Sequence, residues 1–237
     1  MPWKTFPLVL SAIRSVRILS WLLLESLKGG VLSPLLFSLY VNDLLPEIDE
    51  NVKLLQYADD LKLIAVASTN DTAISRLNEA AKRVSLWCDL WSLTINETKF
   101  KLICFTRQHL SLRSALILNK YLPFSNVIKD LGVLLDDNMT FTSHVEYVNK
   151  RLRSLVGIFY RNYRFLVGTT ALRSIYFAYI QSVIDYGLPI WGFTASTKLE
   201  SLEAAHRKFL KFGLGLHMYD HSVEYNELCN RFRVNRE

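Results

Sequence analysis

The sequence predicts an α+β fold from three observations. Two apolar runs, Val52, Leu54, Leu55 and then Leu61, Leu63, Ile64, Val66, flank Gln56-Tyr57-Ala58-Asp59-Asp60, the pattern of a tight antiparallel hairpin. Ile74, Leu77, Ala81, Val84, Cys88 and Trp91 recur at steps of three and four, which is one stripe of a helix. Beyond Asp137 the strand-like runs stop and amphipathic helical stretches follow. An antiparallel sheet with helices therefore gives way near residue 138 to a helical region.

In chain order, residues 18–24 are apolar but only seven long, between Arg17 and Glu25. That is too short to span a bilayer, and Glu25-Ser26-Leu27-Lys28 is no signal-cleavage site. One amphipathic or buried helix is expected there, within a separate segment 1–27. Ser33 is expected to cap a helix over 33–45 with Pro34 at its first position, burying Leu35, Leu36, Leu39, Tyr40 and Leu44. Strands follow at 52–58 and 61–67, with Asp59 and Asp60 at the tip. Ser68-Thr69-Asn70-Asp71 supplies caps for the helix that runs to about Trp91.

Residues 100–105 read as a strand, Asn119-Lys120 as a hairpin turn, and 127–135 as a strand or strand pair around Gly132. The helical region opens with 143–162, carrying Val145, Val148, Leu152, Leu155, Val156 and Phe159 on one face. Residues 169–185 carry Leu172, Ile175, Tyr176, Tyr179 and Val183, and residues 197–212 carry Leu199, Leu202, Ala205, Phe209 and Leu210.

With 237 residues, half of them apolar and 21% charged, the chain can bury a sizeable core, and a disordered chain is excluded. Cys88, Cys104 and Cys229 are an odd number without zinc spacing. This argues against a disulfide scaffold, hence no disulfide partner, and for a reducing intracellular compartment, cytoplasmic or nuclear. No membrane partner is expected. The net charge of +6 is uneven: residues 1–139 hold 15 Lys/Arg and 14 Asp/Glu, residues 140–237 hold 13 and 8. A basic C-terminal part suits a phosphate backbone; a solubilising surface is the plain alternative.

Adjacent carboxylates at a hairpin tip repel each other, and Asp is depleted in strands. They are explained by a divalent cation, since Mg²⁺ is held by one or two carboxylates plus substrate phosphates. A solvated turn is the competing explanation for Asp59 and Asp60.

The surrounding residues decide between the two. Tyr57-Ala58-Asp59-Asp60 resembles the polymerase signature of reverse transcriptases, and Gly29-Gly30-Val31-Leu32-Ser33-Pro34-Leu35-Leu36-Phe37 resembles the block that precedes it, with Asn42-Asp43-Leu44 following. Trp91, Leu93, Asn96 and Lys99 resemble the next block. Ile128-Lys129-Asp130-Leu131-Gly132-Val133-Leu134-Leu135-Asp136 resembles the one after, continued by His144-Val145. Tyr186-Gly187, Trp191, Leu199-Glu200 and Arg207-Lys208-Phe209 are similar to the C-terminal region of jockey-like non-LTR retrotransposon polymerases. The resemblance covers roughly residues 28–212 in family order.

The resemblance implies a partial polymerase palm over 28–137 and a helical thumb-like region over 138–237. It implies RNA-directed DNA polymerase chemistry on an RNA template, a DNA primer and dNTPs, at a two-metal Mg²⁺ site. Asp59 and Asp60 would be metal ligands. Tyr57 would lie near the primer strand, and Lys99 near the triphosphate. Lys28, Gly29, Gly30 and Ser33 would face nucleotide and template, with Lys28 standing where the family usually has Gln. Leu131 and Gly132 would sit in a primer-gripping hairpin, where a glycine admits close backbone approach. Lys150, Arg151, Arg153, Arg161 and Arg164, interleaved with Tyr160 and Tyr163, would follow the nucleic-acid backbone; a wet helix face is the alternative.

The family also supplies an Asp from a strand before the Gly-Gly block, yet residues 1–27 contain no Asp. The metal site is therefore expected to be incomplete, the fingers missing, and the chain inactive alone. A decayed element copy and an incomplete gene model fit equally. Three functions compete: a polymerase domain complete only with upstream sequence, a non-catalytic nucleic-acid-binding remnant, and a structural leftover exposing a sheet edge.

Overall fold

The computed structural model describes residues 6–14, 16–18, 31–44, 52–58, 60–105, 113–220 and 222–232, with side chains from residue 31 onward except that of Glu97. The architecture is α+β, and the chain divides into two units: Met1–Asp130 with Asp136–Met139, and Leu131–Leu135 with Thr140–Glu237.

In the first unit, β1 (Phe6–Arg14), β3 (Val52–Tyr57), β4 (Asp60–Ala67) and β6 (Ile103–Cys104) form one sheet in the order β3-β4-β1-β6. β3 and β4 are antiparallel from Val52↔Ala65 to Tyr57↔Asp60. Leu61, Leu63 and Ala65 are buried while Lys62 and Ile64 between them are half-buried, the alternation of a sheet with one core face. β2 (Val16–Ile18) pairs with β5 (Leu93–Ile95). Residues 1–27 thus enter the fold through strands. Of the helix expected at 18–24, Ile18 ends β2 and the rest lies outside the described residues.

β4 is not at an edge of its sheet, whose outer strands are β3 and β6. β1 lies antiparallel beside β4, Phe6↔Ala67 through Arg14↔Asp60, with an irregularity between Leu10 and Ile13.

α1 (Ser33–Tyr40) departs from expectation in two ways. Leu32, not Ser33, is the N-cap, and no side chain caps the helix. The helix starts one residue early because Pro34 fits either first-turn position. Leu35, Leu36 and Leu39 are exposed; Phe37 and Tyr40 pack on the core, and Leu44 is buried just beyond. α2 (Asn70–Leu90) is capped by the Thr69 hydroxyl, which accepts from the Thr72 N–H at 3.3 Å. Its core face is broader than the predicted stripe: Ala73, Ala80 and Trp87 join Leu77, Ala81, Val84 and Cys88, while Trp91 is partly exposed against Tyr40.

β7 (Ser114–Ile117) and β8 (Lys120–Pro123) form the expected hairpin one residue earlier, turning on Leu118 and Asn119. Both have positive φ, 48° and 62°, as two-residue hairpin turns require. Asn78 Oδ1 accepts the Leu118 N–H at 3.0 Å and ties this turn to α2. β9 (Val127–Asp130) and β10 (Val133–Asp136) make a two-stranded sheet, and the division between units runs through it.

The second unit is helical: α3 (Thr142–Asn162), α4 (Thr170–Ile175), a π-helical run Tyr176–Gln181, α5 (Ser182–Asp185), α6 (Leu188–Trp191), α7 (Ser196–Gly213) and α8 (Tyr225–Phe232). α3 buries Val145, Val148, Leu152, Val156 and Phe159, as its periodicity predicts. The π-helical run shifts the next stripe. Tyr176 and Ile180 go inside and Tyr179 turns outward, 56% exposed, because a wider turn breaks the 3.6-residue spacing.

Among the described residues, no helix is long and apolar enough to cross a membrane. Cys88, Cys104 and Cys229 are free and buried, and burial pushes the thiols of Cys88 and Cys104 up to about 12 and about 11.

Candidate functional site

The β3–β4 hairpin is the centre of the first unit's site. Tyr57 pairs with Asp60, so only Ala58 and Asp59 lie between the strands. Ala58 takes a φ of 51°, and Gln56 Nε2 donates to its carbonyl at 3.3 Å. Tyr57 is exposed and Asp60 half-buried at the head of β4. Asp59 lies outside the described residues, as do Lys28, Gly29 and Gly30; Ser33 opens α1. On the far side of β4, β1 sets Arg14 opposite Asp60 and contains no acidic residue.

Lys99 is exposed at the end of the short helical turn Glu97–Lys99, whose backbone adjoins β1. Asn96 shapes that turn: its Oδ1 accepts from the Thr98 N–H at 3.1 Å and the Thr98 hydroxyl at 2.6 Å. The hairpin and the Lys99 turn thus both border β1.

In the second unit, segments far apart in sequence converge on the turn Leu131-Gly132. The Tyr186 hydroxyl donates to the Leu131 carbonyl. Gly132 has a φ of +90°, and a Cβ there would lie 3.0 Å from the Tyr186 ring. Trp191 Nε1 donates to the Tyr186 carbonyl at 2.8 Å, and the His144 ring stands edge-on to Trp191 at 5.4 Å. His144 Nδ1 accepts the Leu134 N–H at 3.2 Å. Burial lowers the pKa of His144, which is therefore neutral with its proton on Nε2. Tyr186 packing and the positive φ account for glycine at 132 on their own.

Lys150, Arg151, Arg153, Arg161 and Arg164 are all exposed on or just after α3. The Arg164 guanidinium stacks 4.6 Å over Tyr160 while its Nε donates to the Tyr160 carbonyl at 3.1 Å. Arg153, Gly157 and Arg161 fall on one face at steps of four and border a groove of about 400 Å³, closed on the other side by Ala205, Lys208 and Met218. A Cβ on Gly157 would touch nothing within 4 Å. Packing within the chain therefore does not require this glycine, although mid-helix glycine costs about 1 kcal/mol relative to alanine. The Arg-Gly-Arg spacing was readable in the sequence; Lys208, carried by α7, was not.

A second cleft, about 760 Å³, includes Asp185, Glu200 and Glu203 in its lining and no Lys or Arg. Beside it runs a directed chain of hydrogen bonds. Gln181 Nε2 donates to Asp185 Oδ1 at 2.8 Å, and its Oε1 accepts from Tyr176. The Tyr176 oxygen can then only accept from His206 Nε2, 2.7 Å away, and His206 Nδ1 accepts from the Tyr225 hydroxyl at 2.7 Å. His206 is buried, neutral and pushed down to about 4. The charged lining of this cleft is acidic, whereas that of the groove beside α3 is basic.

The family model described as reverse transcriptase (RNA-dependent DNA polymerase) matches residues 26–155. The chain is 29% identical over 197 residues to the probable RNA-directed DNA polymerase from transposon X-element of Drosophila melanogaster, covering 79% of this chain and 21% of that protein. It is 26% identical over 195 residues to the RNA-directed DNA polymerase from mobile element jockey and 28% over 199 residues to the probable RNA-directed DNA polymerase from transposon BS, both of Drosophila melanogaster. Each covers 78% of this chain and 21% of the relative. The chain thus spans about a fifth of the length of these curated relatives. No solved structure matches it. The chain belongs to the reverse transcriptase family.

Proposed function

From that membership we propose that this chain forms the metal-hairpin and nucleic-acid-tracking part of an RNA-directed DNA polymerase, acting on an RNA template, a DNA primer and dNTPs inside the cell. Residues 28–137 serve as a palm-like part and 138–237 as a thumb-like part. The observation that supports the reading is the closing pair Tyr57↔Asp60, which sets Asp60 at the turn end of a hairpin built into a sheet.

The donor set fits one hydrated Mg²⁺ that takes further ligands from substrate phosphates. It does not fit two. Among the described residues no three His, Cys, Asp or Glu stand together, and β1 has no acidic residue to add. When bound, such an ion supplies Lewis-acid stabilisation of the transferring phosphate. Asp59 and Asp60 hold it, Tyr57 lies against the primer strand, and Lys99 offsets charge on the departing pyrophosphate. Lys28, Gly29, Gly30 and Ser33 face nucleotide and template. Leu131 and Gly132 present backbone to the primer, with Tyr186 holding their turn. Lys150, Arg151, Arg153, Arg161 and Arg164 pair with phosphates.

The absence of acid from β1 favours a second reading, a binding protein that holds nucleic acid without polymerising it. Mn²⁺ binding to the chain, followed by paramagnetic resonance with a primer–template present, tests the hairpin. Binding lost in Asp59→Asn and Asp60→Asn supports the metal site; binding unchanged in both refutes it and leaves the non-catalytic reading.

A further inference from the structure

At the C-terminal end of α3 the basic face meets a group of exposed aromatic rings that backbone tracking does not use. Phe165 is 76% exposed and Tyr179 56%, and Tyr163 is exposed beside them. Their rings form a chain through buried Phe159: Phe165 to Tyr163 at 6.1 Å, Tyr163 to Phe159 at 5.4 Å, Phe159 to Tyr179 at 6.4 Å between centroids. Single exposed aromatics are ordinary, but clustered ones mark contact surfaces.

The fold holds these rings out. Phe165 sits in a helical turn pinned by Leu166 N–H to Tyr163 O at 3.0 Å and by the Thr169 hydroxyl to Leu166 O at 2.6 Å. Tyr179 faces outward because of the π-helical run.

The stretch of chain that carries the rings holds charges of one sign. No Asp or Glu occurs between Glu146 and Asp185, a stretch holding Lys150, Arg151, Arg153, Arg161, Arg164 and Arg173. Aromatic faces interleaved with cations are the equipment of proteins that bind single strands: rings stack on bases and cations pair with phosphates. A duplex offers no free base faces.

We propose that Tyr163, Phe165 and Tyr179, flanked by Arg161 and Arg164, form a stacking platform for unpaired bases of a single-stranded nucleic acid. The proposal rests on the reading of α3 as a nucleic-acid face and adds a second kind of contact to it.

The test titrates the full chain with fluorescein-labelled oligo-deoxythymidine and, separately, with a blunt-ended duplex. Phe165→Leu and Tyr179→Leu each should weaken the single strand by about tenfold and leave the duplex within about twofold. In Phe165→Trp, which keeps a ring, the added indole fluorescence should be quenched by the oligonucleotide and not by the duplex; this holds the test even where a leucine variant folds poorly. Unchanged single-strand affinity with intact, salt-sensitive duplex binding overturns the platform alone and points to a protein partner for the patch. Equal weakening of both probes, or an unquenched indole, overturns it too. Failure of the unaltered chain to bind either probe overturns the platform together with the reading of α3.

Discussion

Lys62 Nζ lies 2.6 Å from Asp130 Oδ1, with 13% and 21% of the two side chains exposed. Lys62 is two residues past Asp60 on β4, and Asp130 ends β9 immediately before Leu131 and Gly132. The ion pair ties the carboxylate hairpin to the last strand of its own unit. Removing one partner of a shielded pair leaves an uncompensated charge, so Asp130→Ala should cost about 3 kcal/mol in urea denaturation. Lys62→Met combined with Asp130→Leu should cost much less. Equal losses in single and double variants would show that the pair contributes only through its solvent-facing side.

Gly132→Ala should destabilise the chain by about 2 kcal/mol or more, since a φ of +90° disfavours any Cβ and the Tyr186 ring stands 3.0 Å from its place. Adding Tyr186→Ala should relieve the clash but not the backbone strain, so the double variant should be more stable than additivity predicts. Strict additivity in thermal melts would separate the two causes and sink the packing account.

His206 makes stability depend on pH. Burial lowers its pKa from 6.5 to about 4. Between those values the unfolded chain binds a proton that the fold refuses. The contribution is full above pH 6.5 and falls as the pH drops toward 4, about 3 kcal/mol in all. His144, also lowered by burial, adds in the same sense. The comparison is therefore between the unaltered chain and His206→Gln, whose stability should fall less steeply with pH over this window. Parallel curves for the two would exclude His206 as the source.

Primer extension by the chain alone with Mg²⁺ and dNTPs should be negligible. In the proposed reading one carboxylate hairpin fixes one ion, and β1 brings no acid to β4; misplacement of the reacting groups is costly in rate. Extension abolished by Asp59→Ala would prove this wrong.

The hairpin was readable because apolar residues at alternate positions bracket a two-residue turn, and the α3 stripe because nothing interrupts its period. β1 was not: Phe6–Arg14 has no clean alternation and gains its strand character from pairing with β4 and β6. The π-helical turn that sends Tyr179 outward leaves no mark in a 3.6-residue pattern. Ser33 and Pro34 stand in the order of a capping residue and a first-turn proline, yet Leu32 is the N-cap and Ser33 the first helical residue. For the site, the motif residues Gly132, His144, Tyr186 and Trp191 were all singled out as sequence, but their meeting at one turn is tertiary. So is Lys208 joining Arg153 and Arg161 across Gly157. The roles of Asp59 and Lys28 lie outside the described residues.

The nucleic-acid binding proposed for α3 does not need a complete metal site. Binding through phosphate contacts should be independent of sequence and sensitive to salt, each contact contributing a slope of about −0.9 in log K against log salt. Arg151, Arg153 and Arg161 are exposed on one helix, and two of them border the groove over Gly157. Neutralising all three should flatten the slope by about two to three units and weaken every sequence alike. Asp59→Asn should leave binding unchanged or slightly tighter, since it removes negative charge near phosphates. Titration of a labelled primer–template duplex across a salt series measures both effects. A slope that survives the triple substitution would assign the phosphates to other cations and return α3 to a solvated face.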